Sequence, residues 1–299
     1  MSGIDDFIHR QRVAYFSMEI ALQNEIPTYA GGLGVLAGDT LRSAADLELP
    51  MVAVTLASTA GYFRQTIGVK GSQHELDDPW EPSKWATRLE AIVAVTVEGR
   101  RVWVGGWLYV LKGHMNGELP VVLLDTDLEQ NGADDRAITR HLYGGDDAYR
   151  FKQEIVLGVG GTRMLQALGF RLRQHHMNEG HSALLGLELL HRYAYPPEDV
   201  RPGESPYDVP RVRELCCFTT HTPLPPGEAS GTSGMKARLQ RRAQPERLGR
   251  LADRGLHRGC DRPGGGRQRG RRYGCAVPEV GARGAAPVLS GQQGGGSPS

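Results

Sequence analysis

Apolar positions along the first 227 residues fall into two kinds of segment. Short runs rich in β-branched and aromatic residues predict β-strands at Val13 to Met18, 51–58, 91–97, 101–111, 119–127 and in LCCFTT, which ends at Thr220. Longer stretches with helical apolar spacing predict helices at Leu33 to Leu47, Asp146 to Leu168 and Ser182 to Tyr193. Strands that alternate with helices favour a mostly parallel sheet covered on both faces, so the pattern predicts an α/β fold.

The chain after Lys236 lacks this periodicity. From Ala237 onward it contains no Lys, Phe, Trp, Ile, Thr or Asn and is dominated by Arg, Gly, Ala and Pro. Such a segment cannot bury enough apolar surface to offset chain entropy, so we expect residues 238–299 to be disordered. An alternative is nonspecific binding of phosphates by Gly264 to Arg272 (GGGRQRGRR). Because aromatic residues are nearly absent there, we expect no nucleic-acid partner.

Charge and cysteine content exclude several classes of protein. The 299 residues carry a formal net charge of +1, which gives no global field for nucleic acid or an anionic membrane. The longest apolar runs, such as Ala91 to Val97, are strand-sized, so we expect a soluble, cytoplasmic protein with no membrane partner. The four cysteines fit neither a disulfide framework nor a CxxC metal site, and we expect no metal; they are Cys216, Cys217, Cys260 and Cys275.

Three polar or glycine-rich motifs lie next to predicted strands, where open α/β sheets bind ligands. Gly31 to Gly34 (GGLG) lies between a strand and a helix and suits close approach of an anion or a sugar, although a tight turn is an alternative. HMNEGH, from His176 to His181, places titratable residues in a loop at the start of a helix. A metal site is the alternative, but the segment lacks the spacing of a helical zinc site. His221 ends a strand and faces a crevice or, alternatively, stabilises a proline-fixed turn.

The segment EASGTSGMK, from Glu228 to Lys236, has the residue types that most specifically indicate a chemical function. Its small and hydroxyl-bearing residues, Ser230 to Gly234, can wrap a phosphate with hydroxyl and N–H groups. Lys236 follows within one helical turn and is placed to condense with an aldehyde. This is how a protein would hold pyridoxal 5'-phosphate by both ends. A flexible Gly/Ser linker is the alternative.

Together these motifs resemble the α-glucan (glycogen/maltodextrin) phosphorylases, in the order in which that family has them. The similar segments are VAYFSMEI, YAGGLGVLAGDTLRSAADLELP, GYFRQ, LYGGDDAYRFKQEIVLGVGG, HHMNEGHSA, THTPLP and EASGTSGMK. The resemblance is nearly continuous from Arg12 to Lys236. It implies a Rossmann-like N-terminal domain of a two-domain GT-B-type glycosyltransferase, covering residues 1–227.

The resemblance also implies an activity, a cofactor and two substrates. The family transfers glucosyl units from an α-1,4-glucan to inorganic phosphate and releases glucose 1-phosphate. The phosphate of its pyridoxal phosphate is the acid/base partner of the substrate phosphate.

The resemblance assigns individual residues only by matching positions. Those that match sugar contacts of the catalytic site are His221 and Glu228. Those that match the cofactor's lysine and phosphate site are Lys236, Gly231, Thr232 and Gly32. Those that match the remaining substrate contacts and cleft-lining positions are Gly31, Leu33, Ser230, Glu179 and His181.

Two departures from the family bear on activity. In the family, the segments similar to THTPLPPG and EASGTSGMK lie far apart, whereas here Gly227 is followed directly by Glu228. Most of the second domain is therefore missing, with the Lys/Arg-rich motif that neutralises the phosphates, and residues 228–237 are a remnant of the lysine motif. Two phosphate dianions repel each other without those cations, so we expect this chain to be inactive.

The second departure is a change of reading frame after Lys236. Synonymous codons can be chosen for Gln240 to Gly259 that, read one base later, give NGVPSLSVLDGWRIEGCIE, which resembles the family sequence at this point. The tail composition is also that of out-of-frame GC-rich DNA. We therefore interpret residues 238–299 as an out-of-frame tail. A non-catalytic glucan-binding fragment and a non-functional gene product are the alternatives for the whole chain.

Overall fold

The structure is a computed structural model that describes residues 3–221. The expectations for residues 228–237 and 238–299 lie outside this range. Within it, ten strands form: β1 (Val13–Phe16), β2 (Met51–Leu56), β3 (Arg64–Ile67), β4 (Gln73–Leu76), β5 (Thr87–Arg88), β6 (Val93–Val97), β7 (Arg100–Lys112), β8 (Glu118–Asp125), β9 (Gln174–Asn178) and β10 (Cys216–Thr219).

The described range also contains seven α-helices, of which the first precedes β1 and the others lie between strands: α1 (Asp5–Ile8), α2 (Gly32–Asp46), α3 (Ala133–Arg136), α4 (Asp147–Ile155), α5 (Gly161–Ala167), α6 (Leu185–Arg192) and α7 (Val209–Leu215). Local capping explains two of the helix starts. The side chain of Asp146 accepts the Tyr149 amide hydrogen at 2.9 Å at the start of α4. Asp208 caps α7 in the same way, with a proline in the first turn. No helix in residues 3–221 is long and apolar enough to span a bilayer.

Eight of the strands form one mixed sheet. Its order is β10-β9-β1-β2-β8-β7-β5, and β6 also pairs with β7. The pairs from β10 to β8 are all parallel, and those made by β7 are all antiparallel. The expectation of a mostly parallel sheet therefore holds only on one side. Glu98 and Gly99, both at positive φ, form a two-residue turn that folds β6 and β7 into a hairpin.

The parallel strands are buried on both faces. Alternate residues of β1, β2 and β8 divide between two apolar clusters. Tyr15 and Ala53 pack on one face with α2, through helix residues such as Leu41. Phe16 and Val54 pack on the other face with the α4–α5 region and α6. This three-layer arrangement confirms the prediction of an α/β fold with both faces covered.

The predicted helix from Asp146 to Leu168 is interrupted. Residues Val156–Gly160 form a π-helical turn between α4 and α5, a local feature that often occurs near functional sites. A Cβ on Gly158 would lie 2.7 Å from the backbone nitrogen of Leu185, and a Cβ on Gly161 would lie 2.9 Å from the Phe16 ring. These glycines therefore allow close approach of α6 and of the sheet.

The main error of the sequence-based assignment concerns HMNEGH. We expected a loop before a helix, but Gln174–Asn178 is a strand in the interior of the sheet, paired with β1 and β10. The strand has no apolar alternation, because the two side chains that it buries, His175 and Asn178, are polar. The helix that follows begins at Leu185, after a 3₁₀ turn at Gly180–Ser182.

Candidate functional site

The parallel strands β9, β1 and β10 end at the same edge of the sheet and bring six polar residues there. Ser17 and Glu19 follow β1, Asn178 ends β9, Glu179 and His181 follow it, and His221 lies two residues beyond β10. We call these six residues the carboxyl-edge cluster.

A hydrogen-bonded chain runs through the cluster from β1 to β10. The Ser17 hydroxyl donates to the carbonyl oxygen of Glu19 at 2.7 Å, and Asn178 Nδ2 donates to Ser17 Oγ at 3.1 Å. Asn178 Oδ1 lies 2.7 Å from Nε2 of His221. Ser17 and Asn178 are buried, whereas His221 is exposed. A buried amide therefore holds an exposed imidazole at this edge of the sheet.

Glu179 binds the same histidine through the backbone. The amide of His221 donates to Glu179 Oε1 at 2.6 Å, and the amide of Glu179 donates to the Thr219 carbonyl oxygen at 2.9 Å. Glu179 has a φ of +64°, which is uncommon for a residue with a side chain. Such strain persists only where surrounding contacts hold it, and the two hydrogen bonds supply that restraint.

The glycine loop precedes α2 at the same edge of the sheet. A Cβ on Gly31 or Gly32 would meet no atom of residues 3–221 within 4 Å, so their side-chain positions are open in the described part of the chain. Gly34 differs, because a Cβ there would lie 2.5 Å from Tyr29 Cβ and 2.9 Å from Glu19 Oε2. Packing thus requires glycine at residue 34, whereas residues 31 and 32 leave the backbone accessible.

The buried carboxylate of Glu19 holds this loop in place. Its Oε2 accepts the amide hydrogens of Ala30 at 2.7 Å and Gly31 at 3.2 Å, and its Oε1 accepts the Tyr143 hydroxyl at 3.0 Å. The Gly31 amide is therefore engaged within the protein and is not directed at an anion. Because first-turn amides have no acceptor inside a helix, those of Gly32 and Leu33 remain the loop's donors to a ligand.

Tyr143 connects the glycine loop to the turn after β9. Its ring lies 5.4 Å from the ring of His181, between centroids, and its hydroxyl reaches Glu19. Burial raises the pKa of Tyr143 well above its usual range, and the Glu19 carboxylate adds to this effect. The phenol therefore stays protonated and continues to donate to Glu19.

Two further histidines line β9 and are held neutral by burial. Burial lowers the pKa of His176, and the nearby titratable ring of His221 lowers it further. His176 Nε2 lies 2.7 Å from Thr219 Oγ1 on β10. Burial also lowers the pKa of His175 to about 4, against an opposing hydrogen bond with the Leu215 backbone. Neither imidazole adds positive charge to this edge at neutral pH.

The described residues do not form a candidate metal site: residues 3–221 contain no group of three or more His, Cys, Asp or Glu residues that could hold an ion. Cys216 and Cys217 are free thiols on β10. Burial raises the pKa of Cys216 to about 11, and the neighbouring Cys217 adds to this, so its thiol stays protonated.

The structure brings several sequence-predicted residues together. Glu179 and His221 are hydrogen-bonded, and Gly31 and His181 are connected through Glu19 and Tyr143. Gly32 and Leu33 form the start of α2. The remaining candidates lie outside the described residues: Glu228, Ser230, Gly231, Thr232 and Lys236.

Sequence reasoning missed four residues of this arrangement: Ser17, Glu19, Asn178 and Tyr143. Ser17 and Glu19 could have been found, since Ser17 lies near the end of the predicted strand Val13 to Met18 and Glu19 directly follows that strand. Asn178 lies in the motif HHMNEGHSA, but its residue type did not mark it as a candidate. Tyr143 is distant in sequence from every other member, and its proximity depends on the tertiary fold.

The fold defines a mixed α/β protein whose polar cluster lies at the position where proteins of this class bind ligands, beyond the carboxyl ends of parallel strands. No protein-family model matches the chain. Curated proteins do match it. A glycogen phosphorylase of Mycobacterium tuberculosis is 38% identical over 234 aligned residues, covering 72% of this chain and 25% of that protein.

Two other relatives agree with this match. A maltodextrin phosphorylase of Thermococcus litoralis is 36% identical to this chain. The alignment covers 72% of this chain and 26% of that relative. A glycogen phosphorylase of Aquifex aeolicus is 32% identical to this chain. The alignment covers 72% of this chain and 31% of that relative. Over this matched part, the chain belongs to the glycogen/maltodextrin phosphorylase family. It spans about a quarter of the length of the first relatives.

Proposed function

We propose that the carboxyl-edge cluster and the glycine loop are one wall of the sugar site of an α-glucan phosphorylase. The family reaction transfers a glucosyl unit from an α-1,4-glucan to inorganic phosphate and yields glucose 1-phosphate. The observation that carries the proposal is the hydrogen-bonded connection of Glu179, Asn178 and His221 at the edge of the parallel strands. The relatives, a glycogen phosphorylase and a maltodextrin phosphorylase, support the substrate class.

Each residue of this wall has a role that its geometry allows. His221 offers an imidazole to a sugar hydroxyl, and Glu179 holds the His221 backbone in position. Gly31, Gly32 and Leu33 allow a ligand to approach the backbone at the start of α2. His181 is buried and supports the wall through its contact with Tyr143. Glu228 and Ser230 would supply sugar contacts from the part of the chain that is not described.

The cofactor we propose for the family is pyridoxal 5'-phosphate. Among its candidate residues only Gly32 lies in the described range, and it fits. It has no Cβ, its side-chain position meets no atom of residues 3–221 within 4 Å, and its amide has no acceptor within the helix. Gly231, Thr232 and Lys236 would hold the rest of the group. When bound, its phosphate supplies an acid/base partner for the substrate phosphate.

We further propose that the full family architecture is a two-domain GT-B fold, and that this chain is inactive without the second domain. Positioning of two reactants requires both walls of a cleft. Loss of one preorganised charge contact typically costs on the order of 10²-fold or more in rate. Between Arg12 and Lys236 the sequence has no equivalent of the family's Lys/Arg-rich motif.

A non-catalytic glucan-binding fragment and a non-functional gene product are the alternatives. Carbohydrate-affinity electrophoresis distinguishes these two alternatives.

The test is an assay of glucose 1-phosphate release from maltodextrin and phosphate by the purified 299-residue chain. We expect no release above that of Lys236→Ala, and only weak cofactor absorbance after dialysis. The control is a chain rebuilt with the family's missing segment and corrected frame, which should be active and should lose activity on Lys236→Ala. Lys236-dependent turnover by the unmodified chain would contradict the proposed inactivity. An inactive rebuilt chain would count against the proposed family reaction.

A further inference from the structure

Asn178 lies between the two halves of the carboxyl-edge cluster and has an unusual environment for a side-chain amide. It is 2% exposed and contacts a serine hydroxyl on one side and an imidazole on the other. A buried amide must satisfy its oxygen and its nitrogen separately, because the oxygen only accepts hydrogen bonds and the nitrogen only donates them.

The orientation of this amide follows from the hydrogen bond of Ser17. The single hydroxyl hydrogen of Ser17 is donated to the Glu19 carbonyl oxygen at 2.7 Å, so Ser17 Oγ can only accept from Asn178. Asn178 therefore presents Nδ2 to Ser17, at 3.1 Å, and Oδ1 to His221. In the flipped orientation two acceptors, Oδ1 and Oγ, would face each other without a hydrogen between them.

The protonation of the imidazole follows from the orientation of the amide. Oδ1 of Asn178 lies 2.7 Å from His221 Nε2 and cannot donate, so Nε2 must carry a hydrogen. In the neutral imidazole the other nitrogen, Nδ1, then has a lone pair and no hydrogen. Within residues 3–221, Nδ1 of His221 has no hydrogen-bond partner, and the residue is exposed.

We propose that Asn178 is a positioning residue that fixes His221 in the Nε2–H tautomer, so that the neutral ring presents Nδ1 as a hydrogen-bond acceptor. The nature of the ligand rests on the proposed function. A sugar hydroxyl can donate to Nδ1, whereas a phosphate dianion offers only acceptors and is disfavoured there. The tautomer thus selects the hydroxyl-bearing substrate over the anionic one at this position.

The test is nitrogen NMR of the imidazoles in the ¹⁵N-labelled 299-residue chain, without sugar or phosphate. His221→Gln identifies the signals of His221 among the ten histidines. At neutral pH we expect a protonated-type shift at Nε2 and an unprotonated-type shift at Nδ1. Asn178→Leu should move both shifts toward the average of the two tautomers. Asn178→Asp should keep the Nε2–H form, because an ionised carboxylate can only accept a hydrogen bond from the ring.

Two further variants keep the proposal falsifiable. Ser17→Ala removes the acceptor that orients the amide, so it should also mix the tautomers while making a smaller change to packing than Asn178→Leu. Thr219→Val is the matched control: it breaks the contact with His176 and should leave the His221 shifts unchanged. A wild-type ring protonated on Nδ1, or unchanged His221 shifts in both Ser17→Ala and Asn178→Leu, would overturn the proposal. Because no substrate is present, this result is independent of whether the chain binds glucan.

Discussion

Among individual residues, Glu19 has the largest structural role at the candidate site. A buried carboxylate costs free energy unless its oxygens are hydrogen-bonded. Glu19 meets this condition with the amides of Ala30 and Gly31 and the hydroxyl of Tyr143. The same three bonds join segments that are far apart in the sequence. The glycine loop therefore depends on a residue outside it.

Removing the Glu19 carboxylate should destabilise the protein more than removing one of its donors. Glu19→Ala leaves two backbone amides and a buried phenol without their acceptor, and we expect a loss of about 3 kcal/mol in the free energy of unfolding. Tyr143→Phe removes one hydrogen bond and keeps the ring, so about 1 kcal/mol should be lost. Urea denaturation measures both. Equal losses for the two variants would contradict this role for Glu19.

Acid should destabilise the fold through His175. Its pKa is about 4 in the folded protein, because burial disfavours the charged ring, against an unfolded value of about 6.5. Below pH 6.5 the unfolded chain binds the proton more readily, so stability falls as the pH drops toward 4 and is fully present above 6.5. We expect this residue to account for about 2 kcal/mol between pH 7 and pH 5.

Urea titrations of His175→Leu at the two pH values check this. The variant should lose less stability on acidification than the wild type, whereas His9→Leu, at an exposed position, should not change the pH dependence. An unaltered pH dependence in His175→Leu would show that the ring is not the titrating group.

The sequence predicts some residues of this site but not the contacts that join them. The glycine loop, Glu179, His181 and His221 were selected because their residue types suit ligand binding next to strand ends. The roles of Ser17, Asn178 and Tyr143 depend on which strands are neighbours, and β1 and β9 are distant in sequence. No local pattern encodes that pairing. The roles of the selected residues in binding remain predictions.

Among the strands and helices, those rich in apolar residues were predicted most accurately. Strands β2 and β8 and helix α2 are rich in apolar residues and lie close to their predicted bounds. Strand β9 was missed because QHHMN has low strand propensity, and its conformation comes from pairing on both sides. The helix predicted from Asp146 to Leu168 is present, but its apolar spacing did not reveal the π turn that interrupts it.

The π turn should tolerate no side chain at Gly158. A Cβ there would lie 2.7 Å from the Leu185 backbone nitrogen, and backbone cannot rotate away, so Gly158→Ala should lose about 1–3 kcal/mol of stability. Gly186→Ala is the matched control within α6. Among the residues that the structure describes, none has an atom within 4 Å of a Cβ at residue 186, and the substitution should be neutral or stabilise by up to about 1 kcal/mol. Similar urea midpoints for both variants would contradict the close-packing argument.

For the whole molecule, the two apolar clusters suggest an autonomous unit. Their buried members lie between Phe7 and Val212 and cover both faces of the parallel strands. We therefore expect a chain that ends after His221 to unfold in one cooperative transition. Circular dichroism during urea denaturation measures this.

The control for that truncation is a chain that ends after Leu215. It lacks β10 and exposes the pairing edge of β9, so it should unfold at a lower urea concentration. Loss of the cooperative transition in the longer chain would show that the rest of the sequence is needed for folding.

The position of β1 between β2 and β9 has a consequence for synthesis on the ribosome. Val13 pairs with Met51 early in the chain but also with Gln174. The intervening roughly 160 residues take on the order of 10–30 s to translate at about 5–20 residues per second. For that interval one hydrogen-bonding edge of an apolar strand has no native partner, which is a hazard for aggregation. The nascent chain thus requires protection until its polar strand emerges from the exit tunnel.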